Sequence, residues 1–172
     1  MARIAYPDPA TYEHQPLAER IARERGGKIL NLYRMLLHSP PLAEGWLAFL
    51  TAVRRSASLP GRYRELAILR VAVLNDASYE FTVHTPFALE AGIAQSLIDA
   101  LRANSLPATL EDADRAVIDY TDAMTRSIRV PAHVFSYLRE HLSERHIVEL
   151  TATVAAYNCV SRFLEALCID HD

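Results

Sequence analysis

The feature that most constrains the fold is the run from Glu65 to Leu74, which reads ELAILRVAVL. Apart from Glu65 and Arg70, every residue in this run is apolar. A β-strand is the rival interpretation, but the Ala, Leu and Glu content and the lack of strict alternation favour a helix. A helix with so little polar surface is expected to be central and buried on nearly all sides.

The rest of the sequence also predicts helices joined by short turns. Only five glycines occur in 172 residues, and the sequence contains no β-hairpin signal. Apolar residues recur at helical spacing in several segments, and no linker or low-complexity tract separates these segments. We therefore predict an all-α fold, a single domain over residues 1–172 that forms a bundle of about eight helices.

Two helix boundaries carry specific signals. Pro86 lies inside a helical pattern, so either the helix kinks there or a new helix starts at Pro86 with Thr85 as its cap. Thr109 and Asp112 have the spacing of a capping box, which predicts a helix start at Thr109.

Charge and hydropathy exclude some classes of function. The net charge of −3 gives no basic footprint for nucleic acid. No apolar run reaches the ~18 residues needed to span a bilayer. The first residues carry prolines and charges where a signal peptide would be apolar. We expect a cytoplasmic protein with neither nucleic-acid nor membrane partners.

The two cysteines, Cys159 and Cys168, do not form a redox pair. On one helix they would be separated by roughly 13 Å of rise, too far for a disulfide between them. They also lack CxxC spacing. We expect both to be small core residues.

A Glu/His pair offers the clearest candidate chemistry. Glu80 and His84 are four residues apart, so on a helix they share one face. A carboxylate beside an imidazole can fix its tautomer and make it a proton donor or acceptor near neutral pH. Tyr79 can add a hydroxyl from the adjoining face. The alternative is a chance pairing, because Glu and His occur at this spacing on many surface helices.

Charged residues in the apolar run need partners. Glu65 lies at its start, and a carboxylate in such a segment is costly without a counter-charge. Arg62, three residues before Glu65, is the nearest cation at helical spacing, and Arg70 is a polar residue within the run. A metal site is less favoured, because Glu80 and His84 supply only two ligands and a third would have to come from a distant His133 or His141.

The segment RELAILRVAVLNDASYEFTVHTPFALEAGIAQSLIDAL resembles the carboxymuconolactone decarboxylase family, which includes alkylhydroperoxidase D-like proteins. The resemblance covers roughly Leu42 to Thr125. It implies the alkylhydroperoxidase D-like helical fold, with N-terminal helices and a long C-terminal helix packed on this core. It also implies a homo-oligomer, a trimer or a hexamer.

The peroxidase branch of the family carries a Glu, then Cys-x-x-Cys, then a His. In this chain the Glu falls on Glu65 and the His on His84, whereas the cysteine positions hold Ala77 and Glu80. Without a thiolate, neither attack on a peroxide nor disulfide cycling is available at these positions. The resemblance therefore disfavours peroxidase or peroxiredoxin activity, and a peroxidase that uses a different sulfur is the weakest alternative.

The decarboxylase branch lacks those cysteines and keeps Glu-x-x-x-His. The resemblance implies a lyase that removes a carboxylate from an unsaturated lactone or a related small compound, without an organic or metal cofactor. His84 would deliver the proton, Glu80 would orient it, and Glu65 would hold such a His or an Arg in place.

Substrate binding would fall to Tyr79 and to Arg62 or Arg70, whose guanidinium can bind a carboxylate or a dienolate oxygen. The alternative function is a non-catalytic family member that binds a small molecule or an oligomeric partner.

Overall fold

A computed structural model of the chain describes residues 1–12 and 14–172 and shows an all-α fold. Within these residues no β-strand is present, and short 3₁₀ and π segments, Pro9–Thr11 and Ala52–Ser56, accompany nine α-helices. The helices are α1 (Pro16–Glu24), α2 (Asn31–Leu36), α3 (Pro40–Thr51), α4 (Gly61–Leu74), α5 (Ser78–Glu90), α6 (Gln95–Arg102), α7 (Asp112–Ser127), α8 (Ala132–His141) and α9 (Glu144–Leu167). The all-α prediction is confirmed.

The chain divides into two compact units. The first comprises Met1–Ala57 with Phe163–Asp172, and the second comprises Ser58–Arg162. In the first unit α3 packs against α1 and α2, and Trp46 meets Phe163 with ring centroids 5.2 Å apart. The single-domain organisation over residues 1–172 is untested and stays a prediction.

Helix α4 lies at the centre of the second unit. It packs against α5, α6 and α7, and every residue from 65 to 72 is buried. The prediction of a central helix buried on nearly all sides is confirmed. Helix α4 ends at Leu74, and Asp76 adopts the left-handed conformation with φ of 54°. This turn redirects the chain into α5.

Helix α5 runs without interruption through Pro86. The Thr85 hydroxyl donates a hydrogen bond to the Phe81 carbonyl at 2.8 Å. Thr85 therefore bonds back into the same helix and does not cap a new one, so that alternative is wrong. The helix stops before Gly92, whose φ of +81° is a conformation that glycine adopts without strain.

The capping box predicted at Thr109 is also wrong. Helix α7 begins at Asp112 with Glu111 as its N-cap residue, and no side chain caps it. Asp112 is thus the first helical residue and not the third. In a capping box it is the side chain of the third helical residue that accepts a hydrogen bond from the backbone N–H of the N-cap residue.

The expected burial of the cysteines is wrong as well. Both Cys159 and Cys168 are exposed. Cys159 lies on α9 between the buried residues Asn158 and Val160, on the face of the helix that turns outwards. Cys168 follows the last helical residue and has a φ of 49°.

Among the described residues, none of the helices has the length and apolar character that a bilayer crossing requires.

Candidate functional site

The packing of α4 against α5 joins two of the predicted site residues. Glu65 Oε2 lies 2.7 Å from Nδ1 of His84, and both side chains are almost fully buried, with 2% and 1% of their surface exposed. The carboxylate that directly contacts the imidazole is therefore Glu65, nineteen residues away in sequence.

Arg64 also helps to keep Glu65 ionised. Its other oxygen, Oε1, accepts a hydrogen bond from Nε of Arg64 at 3.0 Å. Burial acts to raise the pKa of Glu65, but the hydrogen bonds and charges of His84 and Arg64 outweigh it, so the pKa lies below its ordinary value of 4.5. The site thus holds a buried carboxylate between an imidazole and a guanidinium.

Tyr157 on α9 completes a chain of hydrogen bonds. Its hydroxyl oxygen lies 3.1 Å from Nε2 of His84, and the two rings meet edge to face with centroids 5.0 Å apart. Because the Glu65 carboxylate can only accept a hydrogen bond, a neutral His84 carries its hydrogen on Nδ1, and Nε2 then accepts a hydrogen bond from the Tyr157 hydroxyl. In the imidazolium form both ring nitrogens donate. We call Glu65, His84 and Tyr157 the buried relay.

Sequence reasoning did not find Tyr157. It lies 73 residues after His84 and is 1% exposed. The available signal was a tyrosine next to an asparagine within an otherwise apolar stretch of α9, because buried hydroxyl and amide groups need hydrogen-bond partners. That signal identifies a residue that needs a partner, but it does not identify the partner.

Tyr79 and Glu80 are both buried in the first turn of α5, with 3% and 4% of their surface exposed. Glu80 shares a helix face with His84, as the spacing predicted. The orienting role of Glu80 and the substrate-binding role of Tyr79 stay predictions.

Arg62 and Arg70 make ion pairs away from the buried relay. Arg62 forms two hydrogen bonds to the Asp114 carboxylate, at 3.0 and 2.5 Å, and one to the Gly92 carbonyl. Arg70 makes a similar two-point contact with Asp122, at 2.5 and 2.6 Å, and also reaches Asn104.

The cation beside Glu65 is therefore Arg64, not the Arg62 that is nearest by helical spacing. The predicted substrate-binding roles of Arg62 and Arg70 are untested, and a substrate carboxylate would have to compete with Asp114 and Asp122 for them.

One half-exposed aromatic ring lies against His84. The Phe87 ring is tilted by 53° to the imidazole with centroids 5.7 Å apart, and Phe87 is 40% exposed. Phe87 therefore joins a solvent-facing surface to the otherwise buried imidazole.

A cavity of about 260 Å³ opens at the other end of α5. Phe81 forms part of its wall, and the guanidinium carbon of Arg102 lies 4.5 Å from the centre of the Phe81 ring. The lining residues come from the ends of α4, α5 and α6: Ala72, Val73, Asp76, Ala77, Ser78, Phe81, Thr82 and Arg102. We call this space the Arg102 cavity.

The described residues contain no group of three or more His, Cys, Asp or Glu side chains that could hold a metal ion. The buried relay contains groups that can exchange a proton, and the Arg102 cavity offers a cationic and an aromatic side chain at an opening to solvent.

Comparison with solved structures identifies the fold. A peroxidase-related protein from Ralstonia eutropha JMP134, described as an alkylhydroperoxidase AhpD core, superposes with a TM-score of 0.86 at 19% identity, covering 99% of this chain and 92% of that chain. A peroxidase-related protein from Silicibacter sp. TM1040 gives a TM-score of 0.82 at 19% identity, with the same coverage of both chains.

A third similar structure is that of the debrominase Bmp8 in complex with 2,3,4-tribromopyrrole. It gives a TM-score of 0.81 at 14% identity and covers all of this chain and 94% of that one. At these identities the likeness shows the alkylhydroperoxidase D-like fold alone.

Curated protein sequences gave no match to this chain. A family model does match, that of the carboxymuconolactone decarboxylase family, over residues 40–123. The matched segment contains α4 and α5, which contribute Glu65 and His84 to the buried relay. Over residues 40–123, just under half of its length, this chain is similar to the carboxymuconolactone decarboxylase family.

Proposed function

We propose that this protein is an acid/base lyase that needs no cofactor and acts on a small carboxylated or lactone compound. The observation that carries the proposal is the buried relay, in which an ionised carboxylate and a tyrosine hydroxyl hold both nitrogens of one histidine. This arrangement fixes the position and the orientation of the imidazole, as proton transfer from a positioned donor requires.

The reaction we propose is decarboxylation or a closely related proton transfer. As CO₂ leaves, the electron pair of the breaking C–C bond moves into a conjugated carbonyl and forms a dienolate. His84 then delivers a proton to carbon, directly or through the Tyr157 hydroxyl, and is reprotonated from solvent. Glu65 holds the imidazole in place through Nδ1 while Nε2 takes part in the transfer.

The absence of cysteine from α5 supports acid/base over thiol chemistry. Ala77 and Glu80 occupy the positions where the peroxidase pattern has its cysteines. The only sulfhydryl groups in the chain are those of Cys159 and Cys168, and neither lines the Arg102 cavity. A thiol peroxidase would need its nucleophile in a different place.

A second candidate is a non-catalytic member that binds a small molecule. The observation that favours it is burial: His84 and Tyr157 are each 1% exposed, and neither lines the Arg102 cavity. In this case the buried relay would be a satisfied polar network in the core, and the cavity alone would be functional. The two candidates differ in whether a bound ligand is turned over.

Self-association as a trimer or hexamer in the cytoplasm is part of the same proposal. Large apolar side chains on the second unit support it, since Leu89 is 45% exposed and Val148 is 68% exposed. Light scattering of the purified protein measures the stoichiometry, and a monomer at micromolar concentration would contradict it.

The function is tested by CO₂ release from carboxymuconolactone and from related β-keto and vinylogous acids. On any active substrate, His84→Gln should lower kcat by about 10²–10⁴-fold, the usual contribution of a positioned acid or base. His133→Gln, at an exposed position of α8, is the matched control and should leave kcat unchanged. A His84→Gln variant as active as the wild type would contradict the role of His84. A compound that stabilises the protein strongly but is never turned over would favour the second candidate.

A further inference from the structure

The Arg102 cavity has the features of a binding site for a small anion. Arg102 is exposed at the end of α6, and its guanidinium stacks on the Phe81 ring at 4.5 Å. Among residues 1–12 and 14–172, no carboxylate lies within ion-pair distance of it. Arg62 and Arg70, in contrast, each bind an aspartate through two hydrogen bonds. Arg102 is therefore a cation at a cavity with its donors available.

We propose that this cavity binds a small monocarboxylate, with the guanidinium of Arg102 holding the carboxylate. The guanidinium of Arg102 lies over the Phe81 ring, and its planar set of N–H donors can meet a carboxylate in a two-point contact. The stacking also restrains the long side chain before binding, which reduces the entropy lost when a ligand binds.

The size of the cavity limits the ligand to a small molecule. At about 260 Å³ it is smaller than the range typical of drug-sized ligands. The methyl groups of Ala72 and Ala77 line it together with the Phe81 ring, so a flat apolar body fits this wall. Thr82 also lines the cavity, and its hydroxyl can hydrogen-bond a ring oxygen or a carbonyl.

The charge of the cavity favours one carboxylate over two. Arg102 and Asp76 are its only charged lining residues, so the formal charge of the lining is zero. A monoanion pairs with Arg102, whereas the second carboxylate of a dianion would meet Asp76 or remain without a counter-charge. Carboxymuconolactone carries two carboxylates, so the cavity predicts that a smaller, singly charged compound binds better.

The position of the cavity relates it to the buried relay. Ala77, the N-cap residue of α5, lies at i, and Phe81 and His84 follow on α5 at i+4 and i+7, which places the three along one helix face. A ligand beside Ala77 and Phe81 occupies the N-terminal end of the face on which His84 lies about 10 Å further along the axis. That this ligand is also the substrate rests on the proposed function, whereas the binding itself does not.

Isothermal titration calorimetry with furan-2-carboxylate tests the proposal. Neutral furan-2-carboxamide tests the charge requirement, and furan-2,5-dicarboxylate tests the preference for a monoanion. We expect saturable binding of the monocarboxylate, at least tenfold weaker binding of the amide, and weaker binding of the dicarboxylate. Wild-type protein that binds none of the three saturably, or binds the amide equally well, would overturn the proposal.

Two variants and a control locate the site. Arg102→Gln should weaken binding of furan-2-carboxylate by about tenfold to a hundredfold, as expected for loss of a charged hydrogen-bond partner. Asp76→Asn should reduce the difference in affinity between the monocarboxylate and the dicarboxylate several-fold. Asparagine is chosen because it tolerates the left-handed backbone at this position. Arg126→Gln is the matched control, because Arg126 is likewise an exposed arginine in the last turn of a helix, α7.

Equal affinity of Arg102→Gln and wild type, with the fold verified by circular dichroism, would overturn the proposal. If the wild type releases no CO₂ from any substrate, the proposed function fails. If furan-2-carboxylate still binds to the wild type and to His84→Gln in that case, the binding proposal is supported. The two failures are therefore distinguishable.

Discussion

The buried relay and the Arg102 cavity both include residues of α5 but have opposite properties. In the relay every titratable side chain is paired and almost nothing is exposed. In the cavity the charged side chain of Arg102 is exposed and the wall is formed by small and apolar groups. The relay contains a proton-transfer group that solvent and ligands do not reach. The cavity is open to a ligand but contains no proton-transfer group. A lyase on this scaffold needs both, so α5 is the element that has to couple them.

The largest expected effect of a substitution is on the relay. Glu65→Ala would leave His84 and Arg64 without their buried anion, and breaking a buried ion pair costs about 3–5 kcal/mol of unfolding free energy. Urea denaturation measures this loss. Glu144→Ala, at the exposed start of α9, should change the unfolding free energy by less than about 0.5 kcal/mol. A loss at Glu65 no larger than at Glu144 would mean that the relay does not stabilise the second unit.

Tyr157→Phe should have the next largest effect. It removes the hydroxyl at Nε2 of His84 and leaves a buried ring nitrogen without its partner, which costs about 1–3 kcal/mol. The same denaturation experiment measures it, with Tyr63→Phe at a half-buried tyrosine of α4 as control. Equal stability of the two variants would show that the Tyr157–His84 hydrogen bond is not made in solution.

Acid should weaken the relay through Glu65. Its folded-state pKa lies below the ordinary 4.5, so the folded protein holds this proton less tightly than the unfolded chain does. The resulting stabilisation is fully present above about pH 4.5 and is lost as the pH falls through the lower, folded pKa. In denaturation experiments at several pH values, the difference in unfolding free energy between wild type and Glu65→Gln should narrow below pH 4.5. A difference that stays constant with pH would contradict an ionised Glu65.

The smallest effect on stability is expected in the cavity. Arg102→Gln changes an exposed side chain whose described contact is the Phe81 ring, so the unfolding free energy should change by less than about 0.5 kcal/mol. The same variant should bind furan-2-carboxylate much more weakly. A large loss of stability in Arg102→Gln would show that Arg102 supports the fold, and the contrast between the two regions would no longer hold.

The sequence was sufficient for the elements that depend on local pattern. The run from Glu65 to Leu74 predicted the central helix α4 because apolar residues all round a helix leave it no solvent-facing side. The spacing of Glu80 and His84 placed both on one face of α5, since helical periodicity is a local property.

Partners that are distant in the chain could not be predicted. The Glu65–His84 contact spans 19 residues and the His84–Tyr157 contact spans 73, so both depend on how helices pack. The same limit applies to Arg62 and Arg70, each of which pairs with an aspartate 52 residues away. Spacing in sequence ranked Arg62 as the nearest partner of Glu65, but side-chain direction gave that contact to Arg64.

The central claim, that His84 supplies the proton, is tested most directly by turnover in D₂O. With a substrate that releases CO₂, the wild type should place deuterium on the carbon at which the dienolate is protonated, and His84→Gln should do so at least about 10²-fold more slowly. His133→Gln should match the wild type. Deuterium delivered by His84→Gln at the wild-type rate would contradict the account.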